Sequence, residues 1–211
     1  MGLLSFFAKQ SKKPSGWVGR MLIGKLLNKS NATLEDMGLK LMDIKPESAI
    51  LEIGFGNGRL IYKMGKVIKQ GNITGIEISK EMIVQAENKN SELIKSGHLK
   101  LIEASVEKIP ADNDCFDKIF TANTIYFWPN PDENIKEIIR TLKPGGTFYC
   151  ALRLKEEMKA NKAIRTNPDI FKYLFSEDEI IEFLKKAGLK DVTTYKEEQK
   201  IFTDFIATGT R

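Results

Sequence analysis

From residue 48 onward, short apolar runs alternate with longer segments whose apolar residues recur at helical spacing. The runs SAILEIG, NITGIEIS, LKLIEAS, FDKIFTAN and TFYCALRL predict five β-strands, because each is short and rich in β-branched or aromatic residues. Helical segments separate most of these strands, which favours a parallel sheet covered by helices. DVTTYKEE and FTDFIATGTR predict two more strands, and the lack of a helix between them favours antiparallel pairing.

Several predicted helices carry boundary signals. GRLIYKMGKVIKQ predicts a helix that places Leu60, Met64 and Val67 on one face. Ser79 is the predicted N-cap of a helix through KEMIVQAENKNSELIKSG, and Ser176 begins a capping box for EDEIIEFLKKAG. ENIKEIIRTLK predicts another helix, which a Pro-Gly-Gly turn ends. No internal repeat or low-complexity linker interrupts this order, so we predict a single α/β domain.

Composition narrows the class of protein without identifying it. The 211 residues are 42% hydrophobic and 29% charged, as expected for a globular domain long enough to bury a full core. Cys115 and Cys150 form no CxxC motif and no Cys/His pairing, which argues against disulfides and against a zinc site. This usage predicts a cytoplasmic location and no bound metal. No apolar run reaches the roughly 20 residues that span a bilayer.

The net charge of +5 is concentrated at the start of the chain. No acid precedes Glu35, whereas this stretch contains six basic residues: Lys9, Lys12, Lys13, Arg20, Lys25 and Lys29. Such a segment suits an anionic substrate, a membrane surface or nucleic acid, and the plainer interpretation is a solvated, partly frayed leader. We assign residues 1–44 to an N-terminal helical lid segment that the core does not need, and residues 45–211 to the main domain.

The stretch ILEIGFGNGRL, residues 50–60, is the strongest functional signal. A predicted strand ends in glycines at positions 54, 56 and 58 and leads into a helix. Glycines at this density let a ligand approach the backbone, where N–H groups at a helix start point at it. Glu77 ends the second strand about 20 residues later, where a carboxylate can accept hydrogen bonds from ribose hydroxyls. The pattern predicts a site for a nucleotide or a nucleotide-like ligand.

Two ligand classes share this arrangement. Dinucleotides favour G-x-G-x-x-G, but here the third glycine comes one position early and Arg59 occupies the slot. Glu52, two residues before the first glycine, suits a cationic amine better than a pyrophosphate. An amine, a carboxylate and a ribose together point to S-adenosylmethionine, with NAD as the alternative.

Four motifs in this order resemble those of class I S-adenosylmethionine-dependent methyltransferases, over about residues 45–211. LEIGFGNG resembles the first motif, GIEIS the acidic second-strand motif, ASVEKIP…FDKIF the adenine-side segment and LKPGGTFY the turn into the fifth strand. The resemblance implies a Rossmann-like, doubly wound sheet of seven strands, mostly parallel with an antiparallel last strand. It also implies S-adenosylmethionine as methyl donor, S-adenosylhomocysteine as product, and a small-molecule, type 11-like enzyme.

Carried over position by position, the resemblance implies ten cofactor-binding residues: Glu52, Gly54, Gly56, Gly58, Glu77, Ile78, Met82, Ser105, Val106 and Asn123. The three glycines form the cofactor turn. Glu52 supports this turn or the methionine ammonium group, and a carboxylate that only caps local N–H groups is the alternative. Glu77 is expected to hold the ribose diol.

The resemblance also assigns residues to the adenine side of the site. Ile78 is expected to pack on the purine and Met82 to close over it, although Met82 also suits ordinary helix core. Many relatives carry an acid where this chain has Ser105, so one charge-assisted hydrogen bond is weakened here. Adenine is then expected to be read largely by backbone groups at Ser105 and Val106.

The exit of the fourth strand, TANTIYFWPNP, is expected to face the transferred methyl group, because ligands of such sheets bind beyond the carboxyl ends of the strands. It lacks the Asn/Asp-Pro-Pro-aromatic element of amino-group methylases, and neither cysteine follows a proline as in cytosine-C5 enzymes. Two thiols are also too few for arsenite methylation.

The aromatic side chains at this exit either line the pocket beside the positively charged sulfur of the cofactor or pack in the core. They are Tyr126, Phe127 and Trp128. Tyr126, whose hydroxyl can act as a base or donor, is the one catalytic candidate.

We therefore predict methyl transfer to a small-molecule acceptor by in-line displacement, which depends on positioning more than on side-chain chemistry. Residues 1–44 and the segment KEEMKANKAIRTNPDIFKYLF are basic and carry aromatic residues, which favours an acidic or amphipathic acceptor over nucleic acid. The alternatives are an RNA or protein methyltransferase, an NAD-dependent oxidoreductase and a non-catalytic cofactor-binding module. The sequence contains no signal that specifies an oligomeric state.

Overall fold

The computed structural model describes residues 24–200 and 202–211. Within them the strands are β1 (Ala49–Ile53), β2 (Asn72–Glu77), β3 (Leu99–Glu103), β4 (Phe116–Ala122), β5 (Leu142–Leu152), β6 (Lys190–Glu198) and β7 (Thr203–Thr210). They form one seven-stranded sheet in the order β3-β2-β1-β4-β5-β7-β6. Strands β1 to β5 pair in parallel, and β7 runs antiparallel to both β5 and β6. The predicted doubly wound sheet with an antiparallel last strand is confirmed.

The strand order creates a topological switch between β1 and β4. From β1 the chain moves through β2 to β3 at one edge, then returns to β4 and continues into the other half of the sheet. At such a point the loops that leave neighbouring strands diverge, and a crevice forms beyond the carboxyl ends of the strands. Ile53 pairs with Ile76 of β2 and with Thr121 of β4, so the following loops start level with one another.

The helices are α1 (Gly24–Met42), α2 (Arg59–Met64), α3 (Lys80–Lys89), α4 (Ser91–Lys95), α5 (Pro131–Thr141), α6 (Lys155–Ala160), α7 (Lys162–Arg165) and α8 (Glu177–Lys186), with a 3₁₀ helix at Ile125–Phe127. No described helix combines the length and hydrophobicity needed to cross a membrane. The caps predicted at Ser79 and Ser176 are both present. Two predicted helices are wrong in extent: α2 stops before Gly65 and leaves Val67 exposed, and the helix that begins at Lys80 breaks at Asn90.

Apolar clusters cover both faces of the sheet. On one face, α5 lies against β5 and α8 lies against β6 and β7, and their residues Ile138 and Leu184 belong to one buried apolar cluster. On the other face, α1 packs against β4, β5 and β7 and α2 packs against β2, and Leu34 and Met42 of α1 are fully buried there. The expectation that the core does without residues 1–44 is therefore wrong for α1, because its apolar side covers a sheet face. Residues 1–23 lie outside the described part of the chain, and their lid role stays a prediction.

Candidate functional site

The glycine turn after β1 is fixed by backbone hydrogen bonds. The N–H of Gly54 donates to Ile76 O of β2 at 2.8 Å, and that of Gly58 donates to Phe55 O at 3.0 Å. The buried Phe55 side chain anchors the middle of the turn in the apolar cluster beneath it. The three glycines have φ angles of 72°, 52° and 70°. Residues with a Cβ adopt this conformation only at a cost of roughly 1–2 kcal/mol, so the turn demands glycine.

The three glycines differ in the space around them. A Cβ at Gly54 would lie 2.4 Å from Thr124 Cγ2, and one at Gly58 would lie 2.8 Å from Ala86 Cβ. A Cβ at Gly56 would meet no described atom within 4 Å. Packing therefore requires Gly54 and Gly58, whereas the bare backbone of Gly56 borders open space. An open glycine between two packed ones is the arrangement that a ligand lying on the turn requires.

Asn90 holds the turn from the side of α3. Its buried Nδ2 group donates to Gly58 O at 3.1 Å and to Ala86 O at 2.9 Å. The backbone of Asn90 leaves helical geometry at φ −114°, ψ 23°, which separates α3 from α4. Sequence reasoning missed this residue, because its partner Gly58 lies 32 positions earlier and an asparagine within an apparent helix carries no signal of such a contact.

Glu77 joins the end of β2 to the glycine turn. Its Oε2 accepts the N–H of Gly56 at 3.0 Å, and its Oε1 accepts the N–H groups of Ile78 at 2.8 Å and Ser79 at 3.0 Å. The side chain is buried at the strand end. Three backbone N–H groups therefore fix the position of this carboxylate beside the glycine turn. The structure thus brings together the two motifs that the sequence assigned to a nucleotide-like ligand.

Glu52 is a buried acid on the face of β1 that packs toward α1 and α2. Side chains alternate along a strand, so Glu52 shares this face with Ile50, a member of that apolar cluster. Its Oε2 has no hydrogen-bond partner among the described residues. Burial, together with the charges of Glu35 and Glu77, raises the pKa of Glu52 well above its ordinary value. A cap for local N–H groups would not leave this oxygen unbonded, whereas a cationic donor from a ligand would satisfy it.

Helix α1 contributes a second acid on this side of the turn. Glu35 Oε2 accepts from Arg59 Nε at 2.8 Å, and Arg59 Nη2 lies 2.7 Å from the same oxygen. Burial raises the pKa of Glu35, and the neighbouring Arg59 opposes that shift. Asp36 and Lys63 form another ion pair between the same two helices. Sequence reasoning used Glu35 only as the end of the basic segment, since nothing local indicates its distant partner.

The predicted adenine side lies where β2 and β3 end together. The N–H of Ala104 donates to Glu77 O at 3.1 Å, which brings the segment after β3 beside the acid of β2. Ser105 Oγ donates to Glu107 Oε2 at 3.0 Å and accepts the N–H of Glu107 at 3.3 Å. A carboxylate two residues after position 105 therefore lies against the Ser105 hydroxyl. Val106 is buried and anchors this loop.

The helix side of the predicted adenine pocket is formed by α3. The N–H of Met82 donates to the capping hydroxyl of Ser79 at 3.4 Å, and the Met82 side chain is buried. Ile78 is only half-buried, which leaves part of an apolar side chain beside Glu77 for a flat ring. Both positions fit the predicted role, and Met82 fits ordinary packing equally well.

Asn123 connects three elements at the exit of β4. Its backbone is left-handed at φ 55°, and its N–H donates to Ala151 O of β5 at 2.9 Å. Its Nδ2 donates to Asn31 Oδ1 of α1 at 2.9 Å, and its Oδ1 accepts from Tyr126 Oη at 3.0 Å. The predicted cofactor residue Asn123 thus uses its side chain to hold α1 over the exit of β4.

Tyr126 is placed as a core residue. Its ring is buried, and its hydroxyl lies 3.1 Å from Arg153 O while accepting the N–H of Arg153. Burial also raises the pKa of this phenol far above its ordinary value. A hydroxyl held by the backbone and hard to ionise is poorly suited to act as a base. Trp128 is buried as well, with its Nε1 donating to Thr124 Oγ1 at 3.0 Å, so packing describes this stretch better than an exposed wall.

A buried ion pair fixes the exit of β5. Arg153 Nη1 lies 2.7 Å from Asp204 Oδ1 of β7, and the Asp204 side chain is fully buried. The Arg153 guanidinium also lies 3.8 Å from the centre of the Phe202 ring. The segment that follows packs back on the 3₁₀ helix, where the rings of Phe127 and Phe171 are 5.2 Å apart. The ion pair therefore anchors the segment that covers the exits of β4 and β5.

The sequence was compared with known proteins. Residues 44–203 match a protein family described as methyltransferase domain. The chain is 28% identical over 172 residues to the uncharacterized methyltransferase YdaC of Bacillus subtilis (strain 168), covering 82% of this chain and 88% of that protein. It is 29% identical over 189 residues to the chloroplastic 2-methyl-6-phytyl-1,4-hydroquinone methyltransferase of Arabidopsis thaliana, covering 87% of this chain and 54% of that protein. The chain thus spans about half the length of the Arabidopsis protein.

The fold gives an independent comparison. The crystal structure of a SAM-dependent methyltransferase from Aquifex aeolicus superposes with a TM-score of 0.70 at 22% identity, covering 89% of this chain and 96% of that chain. This likeness concerns the arrangement of the sheet and helices. The family match, in contrast, spans the glycine turn, the acid of β2 and the exit of β4. The chain therefore belongs to the methyltransferase domain family, as a class I S-adenosylmethionine-dependent methyltransferase.

Proposed function

We propose that this protein transfers the methyl group of S-adenosylmethionine to a small-molecule acceptor by in-line displacement. When bound, this cofactor supplies a methyl carbon on a positively charged sulfur, which is already a good leaving group. The chain has to hold the donor in the crevice at the β1–β4 switch and to align the acceptor with it. Holding reactants in line supplies several kcal/mol of the barrier, so the fold needs no reactive side chain for that step.

The open backbone at Gly56 beside Glu77 is the observation that carries this proposal. The N–H of Gly56 already binds the Glu77 carboxylate, while the side of Gly56 that a Cβ would occupy is free. We assign Glu77 to the ribose hydroxyls, because a carboxylate at the end of the second strand, beside the open backbone of Gly56, suits a diol. Glu52, whose Oε2 is buried without a partner, suits the ammonium group.

The remaining predicted positions form the adenine side and the methyl side of the site. Ile78, Met82 and Val106 provide apolar surface for the purine, with Ser105 and its neighbour Glu107 as polar groups at the edge. On the methyl side, Asn123 shapes the exit of β4 through its contacts with α1. We assign Tyr126 to holding this exit in place rather than to proton transfer.

The acceptor is proposed to be an amphipathic small molecule. The Arabidopsis relative is named for a hydroquinone that carries a phytyl chain, which is such a molecule. The basic and aromatic segments predicted to cover the site support the same class, and residues 1–23 are proposed to complete the lid. The cytoplasmic location inferred from cysteine usage remains a prediction.

A ligand titration tests the cofactor assignment. S-adenosylhomocysteine should raise the melting temperature of the full chain through mass action, because it binds only the folded state. NADH at the same concentration should leave the melting temperature unchanged. Stabilisation by NADH alone would replace the methyltransferase assignment with the oxidoreductase alternative.

A second pair of measurements tests the acceptor class. Transfer of a labelled methyl group from S-adenosylmethionine to a prenylated hydroquinone should give a product that extracts into organic solvent. Filter binding of RNA at two salt concentrations should show weak binding to the full chain. Tight binding with a steep salt dependence, which reflects phosphate contacts, would favour the RNA alternative.

A further inference from the structure

The segment after β5 contains a carboxylate oxygen that has no hydrogen-bond partner among the described residues. It is Oε2 of Glu157 on α6, an atom shielded from solvent although the residue as a whole is only half-buried. Folded proteins rarely leave a buried acceptor without a donor, because it loses its interactions with water and gains nothing in exchange. None of the roles assigned above uses this oxygen.

The other oxygen of Glu157 has a structural task. Oε1 accepts the N–H of Thr203 at 2.8 Å, at the start of β7. The ladder between β5 and β7 ends with the pair Leu152 and Phe205, so Glu157 takes over the next N–H of β7 after β5 has ended. One neutral oxygen suffices for such a bond, and the amide of glutamine would serve equally well. This contact therefore explains Oε1 but neither Oε2 nor the charge.

Arg153 does not supply the missing donor. Its Nη1 donates to Thr203 O at 2.6 Å and to Asp204 Oδ1 at 2.7 Å, so β7 engages the guanidinium. Arg153 and Glu157 thus hold the two polar groups of the Thr203 backbone, one on each. Because Asp204 already balances the charge of Arg153, Glu157 adds a further negative charge at the end of β5.

Hydrogen bonds connect this position to the predicted methyl side of the site. The hydroxyl of Tyr126 donates to Asn123 Oδ1 at the exit of β4 and accepts the N–H of Arg153 at the exit of β5. From Arg153 the chain of bonds continues to Thr203 and Glu157. Burial chiefly raises the pKa of Tyr126, and the charge of Glu157 adds to that rise. The carboxylate therefore acts on the exit of β4, although it belongs to a helix after β5.

Aromatic rings lie in the same region. Phe171 packs against Phe127 and Tyr126, with ring centres 5.2 Å and 6.4 Å apart. Phe171 belongs to the covering segment, which begins with α6. A molecule bound under this segment meets ring surface and one buried acceptor. A phenol or hydroquinone suits both, because its ring packs on aromatic side chains and its hydroxyl donates a hydrogen bond. A wholly apolar molecule would leave Oε2 of Glu157 unbonded, and an anion would be repelled.

We propose that Oε2 of Glu157 binds a hydroxyl group of the methyl acceptor, and that this contact selects acceptors with a phenolic hydroxyl. The inference rests on the proposed function and narrows its acceptor from amphipathic molecules in general to phenols and hydroquinones. Glu157 is then a specificity-determining residue whose two oxygens have separate tasks, one for the fold and one for the acceptor.

Two ligands that differ only at the hydroxyl groups test this inference. They are a prenylated hydroquinone and its dimethyl ether, each titrated by calorimetry into the full chain loaded with S-adenosylhomocysteine. The unmodified chain should bind the hydroquinone about tenfold more tightly than the ether, or better, as expected for a hydrogen bond to a charged group.

Glu157→Gln separates the two tasks of the side chain. Its amide oxygen has to face the N–H of Thr203, so the amide NH₂ group takes the place of Oε2 and a donor replaces the acceptor. The variant should lose about tenfold in hydroquinone affinity and change ether affinity by less than about twofold. Glu156→Gln is the matched control, because it removes the same charge from an exposed neighbour on the same helix. It should bind both ligands as the unmodified chain does.

Equal affinity of the unmodified chain for the two ligands would overturn the inference, and so would equal or absent losses in Glu157→Gln. If Glu157→Gln does not fold by circular dichroism, Glu157→Asp decides, because it keeps the charge and shortens the side chain. A loss confined to the hydroquinone supports the inference, and an equal or absent effect overturns it. A chain that binds S-adenosylhomocysteine but neither ring compound overturns the inference alone. Failure of the folded chain to bind S-adenosylhomocysteine would instead reject the proposed function.

Discussion

The backbone N–H of Gly56 donates to Glu77 Oε2 at 3.0 Å, so the turn after β1 and the acid at the end of β2 form one unit. The sequence predicts both features separately but not their direct contact. The contact gives Glu77 two tasks, since the carboxylate that is proposed to hold the ribose also accepts three backbone N–H groups. Cofactor binding and local stability therefore depend on the same side chain.

Replacement of Glu77 tests this double dependence. Glu77→Ala should weaken S-adenosylhomocysteine binding by about 1.5–3 kcal/mol, the usual range for hydrogen bonds to a charged group. It should also lower the free energy of unfolding, because three N–H groups lose their acceptor. Calorimetry and urea denaturation measure the two effects. Glu103→Ala, at the end of the neighbouring strand and more exposed, is the control. Unchanged affinity in a folded Glu77→Ala variant would place the ribose elsewhere.

Replacement of Gly56 separates backbone strain from ligand contact. Gly56→Ala should lower stability by roughly 1–2 kcal/mol, because alanine is disfavoured at φ 52°. It should also abolish S-adenosylhomocysteine binding, because the new methyl group enters the space assigned to the ligand. Gly97→Ala is the control, since Gly97 has φ 77° and equally open surroundings before β3. Thermal melts with and without ligand compare the variants, and similar ligand response in both would show that Gly56 does not border the cofactor.

The raised pKa of Glu52 predicts a pH dependence. An acid whose pKa is higher in the folded state binds more protons folded than unfolded, so stability falls as pH rises above the ordinary glutamate value of 4.5. Glu35 acts in the same direction, because burial raises its pKa too. Glu52→Gln should remove the contribution of Glu52 to this loss of stability with rising pH. It should therefore raise the melting temperature of the ligand-free protein at pH 7.5.

The same variant should lose cofactor affinity, by about tenfold or more, or roughly 1.4 kcal/mol. Binding of the ammonium group favours the ionised carboxylate, so S-adenosylhomocysteine should release protons from the unmodified chain over the pH range in which Glu52 titrates. Calorimetry in buffers of different ionisation enthalpy measures this release. Equal proton release by Glu52→Gln would assign the titration to another group.

The buried pair of Arg153 and Asp204 predicts a large effect on stability. Asp204→Ala should cost about 3–5 kcal/mol, because it leaves the guanidinium of Arg153 buried without its carboxylate. The double variant R153M/D204L should recover most of this loss. Glu133→Ala removes an exposed ion pair with Lys136 and should cost less than about 1 kcal/mol. Guanidinium denaturation gives the three values, and a small loss for Asp204→Ala would mean that water reaches Arg153.

Deletion of residues 1–23 tests the lid separately from the core. The deletion leaves α1 intact, so Leu34 and Met42 keep their places and S-adenosylhomocysteine affinity should stay within about tenfold, or roughly 1.4 kcal/mol. Methyl transfer to the prenylated hydroquinone should be abolished. Deletion of residues 1–44 is the contrast, since it also removes the buried side of α1 and should unfold the protein. Full turnover after the shorter deletion would reject the lid.

Local patterns predicted the parts of the structure that local physics determines. The strands, the antiparallel end of the sheet and the caps at Ser79 and Ser176 follow from periodicity and from side-chain oxygens near helix starts. The extent of the helices did not, because α2 and α3 end where Gly65 packs on Leu93 and where Asn90 binds Gly58 O. Such endings depend on tertiary neighbours that a single sequence does not reveal.

In the candidate cofactor site, too, contacts between residues distant in sequence could not be predicted. Motif spacing predicted the glycine turn and Glu77, because a ligand imposes fixed distances on neighbouring strand ends. The contacts of α1, from Glu35 to Arg59 and from Asn31 to Asn123, join residues 24 and 92 positions apart. Tyr126 shows a related limit: an aromatic residue after a strand suits a pocket wall and a core equally well, and its buried ring favours the core.

The bond from Asn90 to the carbonyl of Gly58 has a consequence for evolution and engineering. The glycine turn and α3 are structurally coupled, because a larger residue at position 58 would collide with positions 86 and 90 at the same time. Position 58 should accordingly vary only in concert with them. If the motif LEIGFGNG alone were grafted onto another scaffold, the loop should not keep its conformation, because the contacts of Gly58 with α3 would be missing. A graft that extends from β1 through Asn90 would include these contacts.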